Sequence, residues 1–456
     1  MTTPPSFDDV AAWIAGVDVD HRFLQVDEID EGFAELAQQH PSSVRTRRVG
    51  TSRLGEPLLL TTVGAGSRDA LVVAGVHPNE VTGFRTAASL ARLVVDDERF
   101  RARYDYTWHF LHNLDPDGAR LNETWFDRPG DFEAYARGFF RPAPEEQPEW
   151  TFPTDYKDAF FDRMLPETQA LARVIDDIRP ELYVSLHNSE SGGAYWYVSH
   201  WDAQLLDDLH RVSETAGVIV DRGEAESPHL TLLAAGVFRA PRFAAEYDAA
   251  EAAGEDPAQG FLGSQSLEYA AARGAVTLIP EVPYWSPAAP STAETDESHS
   301  AMIDRTAGQL GAVAERLDEL RIRVRPSMTV VSPFWLAAEA FLPFLVADAK
   351  ADSVRAGSSA SDRPATVAET VSRETRVRGF ILRYGGMFRR ALQAQVDAGL
   401  ADPAVRAATA EATAIVEEWL AKSDPVDTEL LPVRAMVGQQ LGSILVVADE
   451  IARRRA

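Results

Sequence analysis

In Leu71-Val72-Val73-Ala74-Gly75-Val76-His77-Pro78-Asn79-Glu80, the unbroken apolar run Leu71–Val76 stops at a histidine and a glutamate three residues apart. A short continuous run of β-branched and aliphatic residues, closed by Gly and Pro, is the pattern of a strand buried on both faces. Thr82–Val95 follows with a helical period, so the chain passes from strand through the His77–Glu80 turn into a helix. In an open α/β sheet, ligands gather beyond the carboxyl ends of the strands. Imidazole nitrogen and carboxylate oxygen are both good Zn²⁺ donors, and a spacing of three lets the two point from one turn to one centre.

Working outward, further strands are predicted at Leu58–Val63, Tyr106–Leu111, Leu182–Leu186, Trp196–Ser199 and Ala275–Ile279. Helices are predicted at Glu167–Ile178, which ends at Arg179–Pro180, and at Trp201–Ala216 and Leu267–Arg273. Strands alternating with helical segments give an α/β fold, a central sheet covered by helices. From about Pro326 the character changes: Leu336–Val354, Val367–Ala398, Pro403–Lys422 and Pro432–Arg455 all read as helices. Gly357–Asp362 reads as an exposed linker between two of them. The expected division is an α/β domain over 1–325 and a helical region over 326–456.

Composition narrows the function. The 456 residues are 45% hydrophobic and 25% charged, ordinary for a soluble chain with a large core. No cysteine is present, which excludes disulfides and thiolate ligands and leaves imidazole and carboxylate for any metal. The net charge of −26 argues against nucleic acid and anionic lipid as partners, since binding either needs clustered Lys and Arg. No segment reaches the roughly 20 apolar residues of a membrane span. Pro333–Ala347 comes nearest but is interrupted by Glu339 and Pro343, and is read as a core helix. The N-terminus lacks a basic region followed by a long apolar one, so the expected compartment is the cytoplasm.

Of ten histidines, His187 also closes a predicted strand, Leu182-Tyr183-Val184-Ser185-Leu186-His187, and can bring a third ligand beside His77 and Glu80. Two histidines and a glutamate with an open position make a catalytic rather than a closed structural site. Glu281 ends the apolar run Ala275–Pro280, an unusual place for a charge in simple packing. Beside a metal it can serve as general base and then as acid. Asn113-Leu114-Asp115-Pro116-Asp117-Gly118 is a turn by composition, and Arg120, Arg128, Arg137 and Arg141 beyond it supply cations for a carboxylate or an oxyanion. His109 and His112 flank a strand end and are read as structural, and Tyr195-Trp196-Tyr197 as a sheet face or pocket wall.

The order of these motifs resembles that of the M14 zinc carboxypeptidases. Val49-Gly50-Thr51-Ser52 and Gly55-Glu56-Pro57-Leu58 precede His77–Glu80. Asp115-Pro116-Asp117-Gly118 is similar to the family's Asn-Pro-Asp-Gly turn, and a strand ending in His187 follows. Tyr269–Gly274 then leads into Thr277-Leu278-Ile279-Pro280-Glu281. The resemblance spans roughly residues 40 to 320. It implies a central mixed sheet flanked by helices, with the helical C-terminal extension outside it. It also implies one Zn²⁺ on His77, Glu80 and His187, with Glu281 as general base and acid. Arg128, at a similar distance past the turn, matches the arginine that polarises the scissile carbonyl. The family's carboxylate-gripping Asn-Arg pair is not written as a dipeptide; Asn122, Arg137 and Arg141 stand nearest and are assigned to substrate binding.

The expected function is a zinc hydrolase cleaving an amide bond, the C-terminal bond of a small peptide. One alternative keeps the metal and changes the bond, a deacylase of N-acyl amino acids. Another is a degenerate peptidase fold acting as a binding protein, against which the joint presence of His77, Glu80, His187 and Glu281 speaks. The helical extension is expected to cover the cleft, restrict access to it or form an oligomer.

Overall fold

The computed structural model describes residues 6–223, 225–226, 229–252, 262–287, 292–357, 363–422 and 428–455. Among these, eleven strands form one sheet. They are β1 Val44–Thr51, β2 Pro57–Val63, β3 Arg68–Val73, β4 Tyr106–Leu111, β5 Leu182–Ser185, β6 His187–Ser191, β7 Tyr195–Val198, β8 Leu232–Ala234, β9 Val237–Arg239, β10 Val276–Pro287 and β11 Thr428–Leu430. Their order is β1-β2-β4-β3-β5-β10-β7-β9-β8, with β6 and β11 also paired to β10. β3 runs parallel to β4 and β5, and β10 parallel to β5 and β6. β1, β2 and β4 pair antiparallel, as β10 does with β7 and β11. The sheet is therefore mixed, and its centre is the parallel set that carries His77 and His187 at its carboxyl ends. Ala70–Val73 and Leu182–Val184 are fully buried, which is why these strands are written as apolar runs without alternation.

Helices cover both faces: α1 Phe7–Ala15, α2 Val26–Gln39, α3 Thr82–Asp96, α4 Pro166–Ile178, α5 Ala203–Ala216, α6 Phe243–Ala252 and α7 Ser266–Ala271. The C-terminal region adds α8 His299–Val324, α9 Pro333–Ala356, α10 Val367–Asp397, α11 Pro403–Ala421 and α12 Val433–Arg455. Their ends follow local chemistry. α4 starts with Pro166 and stops at Arg179, which takes the left-handed conformation at φ 50°. Thr366 and Glu369 close a capping box on α10. α9 starts at the Ser332 cap and runs through Pro343. No helix among the described residues is long and apolar enough to cross a membrane.

Three features depart from the sequence reading. β10 continues to Pro287, well past Ile279, because its second half finds partners in β6 and in β11, which lies far along the chain. α8 begins before residue 326 and packs on α9, α10 and α11; a helix covered on several sides shows a blurred period. α12 leaves that group and packs on α1, α3, α5 and β10, buried from Met436 to Ile451. Contacts thus cross residue 325 in both directions. Of the expected linker, residues 358–362 lie outside the described residues.

Candidate metal centre and active-site cleft

The loops after β3 and β4 are zipped together. Leu114 N–H donates to the Ala74 carbonyl and Asp115 N–H to that of Gly75, both at 3.0 Å. Gly75 has φ 60°, and a Cβ there would collide with Asn113 Oδ1, so glycine is required on both counts. A Cβ on Gly118 would lie 2.7 Å from Pro78 Cβ. The Asp115–Gly118 turn thus packs closely against Pro78, the residue after His77. On the other side of the site, β6 and β10 pair so that His187 stands opposite Glu281.

These loops bring His77, Glu80 and His187 to one point, with a ligand-type atom from each within 4.8 Å of the others. All three are buried. Glu80 Oε2 lies 3.0 Å from His187 Nδ1 and accepts from Asn188 N–H at 3.1 Å. Glu80 Oε1 accepts from Arg141 Nη1 at 2.7 Å. Ser185 Oγ, 3.1 Å from His187 Nε2, orients that ring from behind. Glu281 Oε1 lies 3.5 Å from His187 Nδ1, while its Oε2 is buried with no hydrogen-bond partner among the described residues. Trp150 packs edge-on against His77 at 5.3 Å.

Electrostatics follow from burial and crowding. Burial, with Arg141 nearby, holds His77 well below the usual imidazole range and so in the neutral form that ligates metal. Burial pushes Glu80 up, but His77, His187 and Arg141 together outweigh it and keep the carboxylate low. Glu281 goes the other way, raised by burial and then by Glu80 and Glu226.

The donors suit a catalytic zinc. They are two imidazoles and a carboxylate, they converge, and His77 Nδ1 is buried with no partner among the described residues. An orphaned buried imidazole nitrogen is costly unless something binds it.

Arg141 is the one arginine of the sequence prediction that reaches this centre. Arg128 does not, which corrects its assignment as a catalytic cation. Its side chain is 62% exposed, pairs with Asp131 at 3.3 Å and borders a separate surface pocket. Arg137 borders that same pocket and is held by Glu133 and Glu417 at 2.7–2.8 Å, so its substrate-binding role is also withdrawn. Asn122 is buried and fully used inside the fold: its amide nitrogen donates to the Gly118 and Phe140 carbonyls, and its oxygen accepts from Phe140 N–H and Trp125 Nε1. It has nothing left for a substrate. His109 and His112 are structural, bonded to Thr62 and Asp69 and to Thr61 and Asp30 respectively.

The centre opens into a cleft of about 990 Å³. Tyr195 and Tyr197 form part of its wall and both donate to Glu226, at 2.8 and 2.7 Å. The helical region supplies another part, including Phe341, Phe344, Arg376, Phe380, Arg383 and Tyr384. Sequence reading missed Arg383, which pairs with Glu190 three residues beyond His187, a carboxylate that also accepts from Tyr135 Oη at 3.1 Å. It missed Gln440 too, whose Nε2 donates to the His187 carbonyl at 2.7 Å. The second His-x-x-Glu of the chain, His187–Glu190, is the only local sign of the first, and nothing local marks the second.

Comparison with known proteins accords with this geometry. Residues 29–227 match the model of the family Peptidase_M14, described as zinc carboxypeptidase. That span holds His77, Glu80 and His187 and stops short of Glu281. Among solved structures, the chain is similar to bovine thrombin-activatable fibrinolysis inhibitor in complex with tick carboxypeptidase inhibitor, at 11% identity over 57% of this chain and 86% of that one, TM-score 0.39. It is similar to carboxypeptidase A from Helicoverpa armigera at 13% identity over 78% and 80%, TM-score 0.37. It is also similar to murein-tripeptide amidase from Escherichia coli O157 at 17% identity over 53% and 89%, TM-score 0.28. No curated protein matches the chain.

Proposed function

We propose that the chain is a zinc-dependent metallopeptidase that hydrolyses the C-terminal peptide bond of small peptides. The observation that carries this is Glu281, a residue of the cleft wall whose Oε1 is 3.5 Å from His187 Nδ1 and whose buried Oε2 has no partner among the described residues. His77, Glu80 and His187 would hold the ion. Zinc bound there supplies Lewis acidity towards water and the scissile carbonyl. Glu281 takes a proton from the attacking water and returns it to the leaving amine. Arg141, beside Glu80 and over the Trp150 ring at 5.6 Å, would offer a cation to the charge that develops on the carbonyl oxygen. A cleft of this volume suits a small ligand, and its walls from α9 and α10 narrow access to small substrates.

A second reading, a deacylase of N-acyl amino acids, draws support from one observation. Asn122 and Arg137 are both outside the cleft, so neither supplies a grip for a terminal carboxylate.

The test is zinc per chain in tag-free protein, followed by hydrolysis of N-blocked dipeptides against N-acyl amino acids. We expect about one zinc, peptide turnover, and loss of at least about 10³-fold in kcat for Glu281→Gln with zinc retained. No zinc uptake, or full activity in the variant, overturns the proposal. Turnover of N-acyl amino acids alone favours the deacylase.

A further inference from the structure

The surface pocket bordered by Arg128 and Arg137 has a volume of about 400 Å³ and shares no lining residue with the cleft. Arg389 and Arg390 of α10 also line it, with Asp131 and Glu133. Four guanidiniums around one pocket are unexpected in a chain of net charge −26, where carboxylates outnumber cations nearly everywhere.

The carboxylates at hand are already committed. Asp131 accepts from Arg128 and caps the Ala134 N–H at 2.8 Å. Glu133 accepts from Arg137 Nε at 2.8 Å, and Glu417 takes the other two nitrogens of that guanidinium. Arg389 and Arg390 are left without one. Arg390 donates to the Gly138 and Phe139 carbonyls at 3.0 and 3.1 Å and lies 3.9 Å over the Phe334 ring. Arg389 has no ion pair or hydrogen bond among the described residues, and its Nε is buried. Burial, then Arg137, pushes Arg389 down, with Glu417 only a partial offset; burial, then Arg389, pushes Arg390 down to about 10. Neighbouring half-buried cations with no anion between them are costly unless one arrives.

Charge and shape define that anion. A guanidinium fork meets phosphate oxygens two at a time. A phosphate dianion answers both free cations, whereas a carboxylate answers one. The volume admits a small ligand. The acidic chain as a whole repels anions, so general attraction does not bring phosphate here.

We propose that this pocket binds a phosphate group, free or as a small ester, through Arg389 and Arg390, with Arg128 and Arg137 beside them. The site stands behind the wall of the cleft. In the short helix Phe132–Gly138, Phe132, Tyr135 and Ala136 line the cleft, while Glu133, Ala134, Arg137 and Gly138 line the pocket, the two faces of one helical period. The phosphate site does not depend on the peptidase reading.

The experiment titrates inorganic phosphate, methyl phosphate and acetate into the zinc-loaded full chain by calorimetry, at about 0.1 M salt. The expected Kd for phosphate is below about 1 mM, with acetate at least about tenfold weaker. Arg389→Met should weaken phosphate binding at least about tenfold. Because Arg389 makes no bond within the described protein, this variant should keep the wild-type melting curve. Methyl phosphate bound more tightly than inorganic phosphate assigns the site to an ester, and the reverse assigns it to the free ion; both sustain it. Wild-type binding weaker than about 1 mM, or acetate matching phosphate, overturns the proposal. Phosphate held equally well by Arg389→Met also overturns it, since the ion then sits on the zinc or elsewhere.

Discussion

Arg141 and Arg128 carry the same charge on the same side of the Asp115–Gly118 turn, yet only Arg141 is drawn in, by Glu80 and Trp150. Arg141→Met should lower kcat by about 10²–10³-fold, the cost of losing a charge aimed at a developing oxyanion. Arg128→Met should stay within about twofold, because an exposed pair contributes little. Steady-state kinetics on both variants, with equal zinc content confirmed, separate the two. Asp115 makes a different prediction. Burial pushes its carboxyl up to about 7, against an ordinary value near 3.8. A folded-state pKa above the unfolded one gives a stability contribution that is full below about pH 3.8 and lost as pH rises through about 7. Asp115→Asn keeps the capping bond to Gly118 N–H and cannot ionise. Between pH 4 and 7.5 the wild type should therefore lose up to about 4 kcal/mol relative to the variant, measured as urea midpoints. Parallel curves would show that the charge is relieved in some other way.

At the scale of elements, the support for the metal site comes from helices far along the chain. Gln440 of α12 donates to the His187 carbonyl and accepts from Thr86 Oγ1 of α3 at 2.6 Å, so one amide joins the two segments that carry the donors. Gln440→Leu removes both of these bonds. It should cost about 1–3 kcal/mol in stability and weaken zinc binding about 10–100-fold, read by competition with a chelating dye. Unchanged affinity would show that the clamp does not reach the metal. The contrast with what the sequence disclosed is instructive. β3, β4 and β5 and the helices α3, α4 and α5 are legible because buried runs and capped periods are local signals. His77, Glu80, His187 and Glu281 stand out in the sequence because each interrupts or follows an apolar run with a polar side chain. Gln440 and Arg383 do not, since a glutamine or an arginine within a helix looks the same whether it meets solvent or a strand. Arg128 and Arg137 misled for the converse reason: distance past a turn does not say which way the side chains that follow it point.

The whole molecule is bound together by α12. Its burial from Met436 to Ile451 places an apolar helix against α1, α3, α5 and β10, so the C-terminal region completes the core of the α/β part as well as walling the cleft. A chain ending at residue 325 should therefore lack a cooperative thermal transition and fail to retain zinc, checked by calorimetry and metal analysis. A soluble, zinc-binding product would instead show that the boundary expected from sequence is a true domain limit.

The bond between Gln440 and the His187 carbonyl spans 253 residues, and that separation sets an order of events during synthesis. At typical elongation rates, roughly 10–50 s pass between the emergence of one partner and the other. Contacts so distant in sequence are among the slowest to form. A nascent chain can shape its strands and present both histidines early, but the site gains its final clamp only after α12 has been made and docked. The candidate metal site is thus completed only once the last helix of the chain has been made, after all of its donors have already emerged.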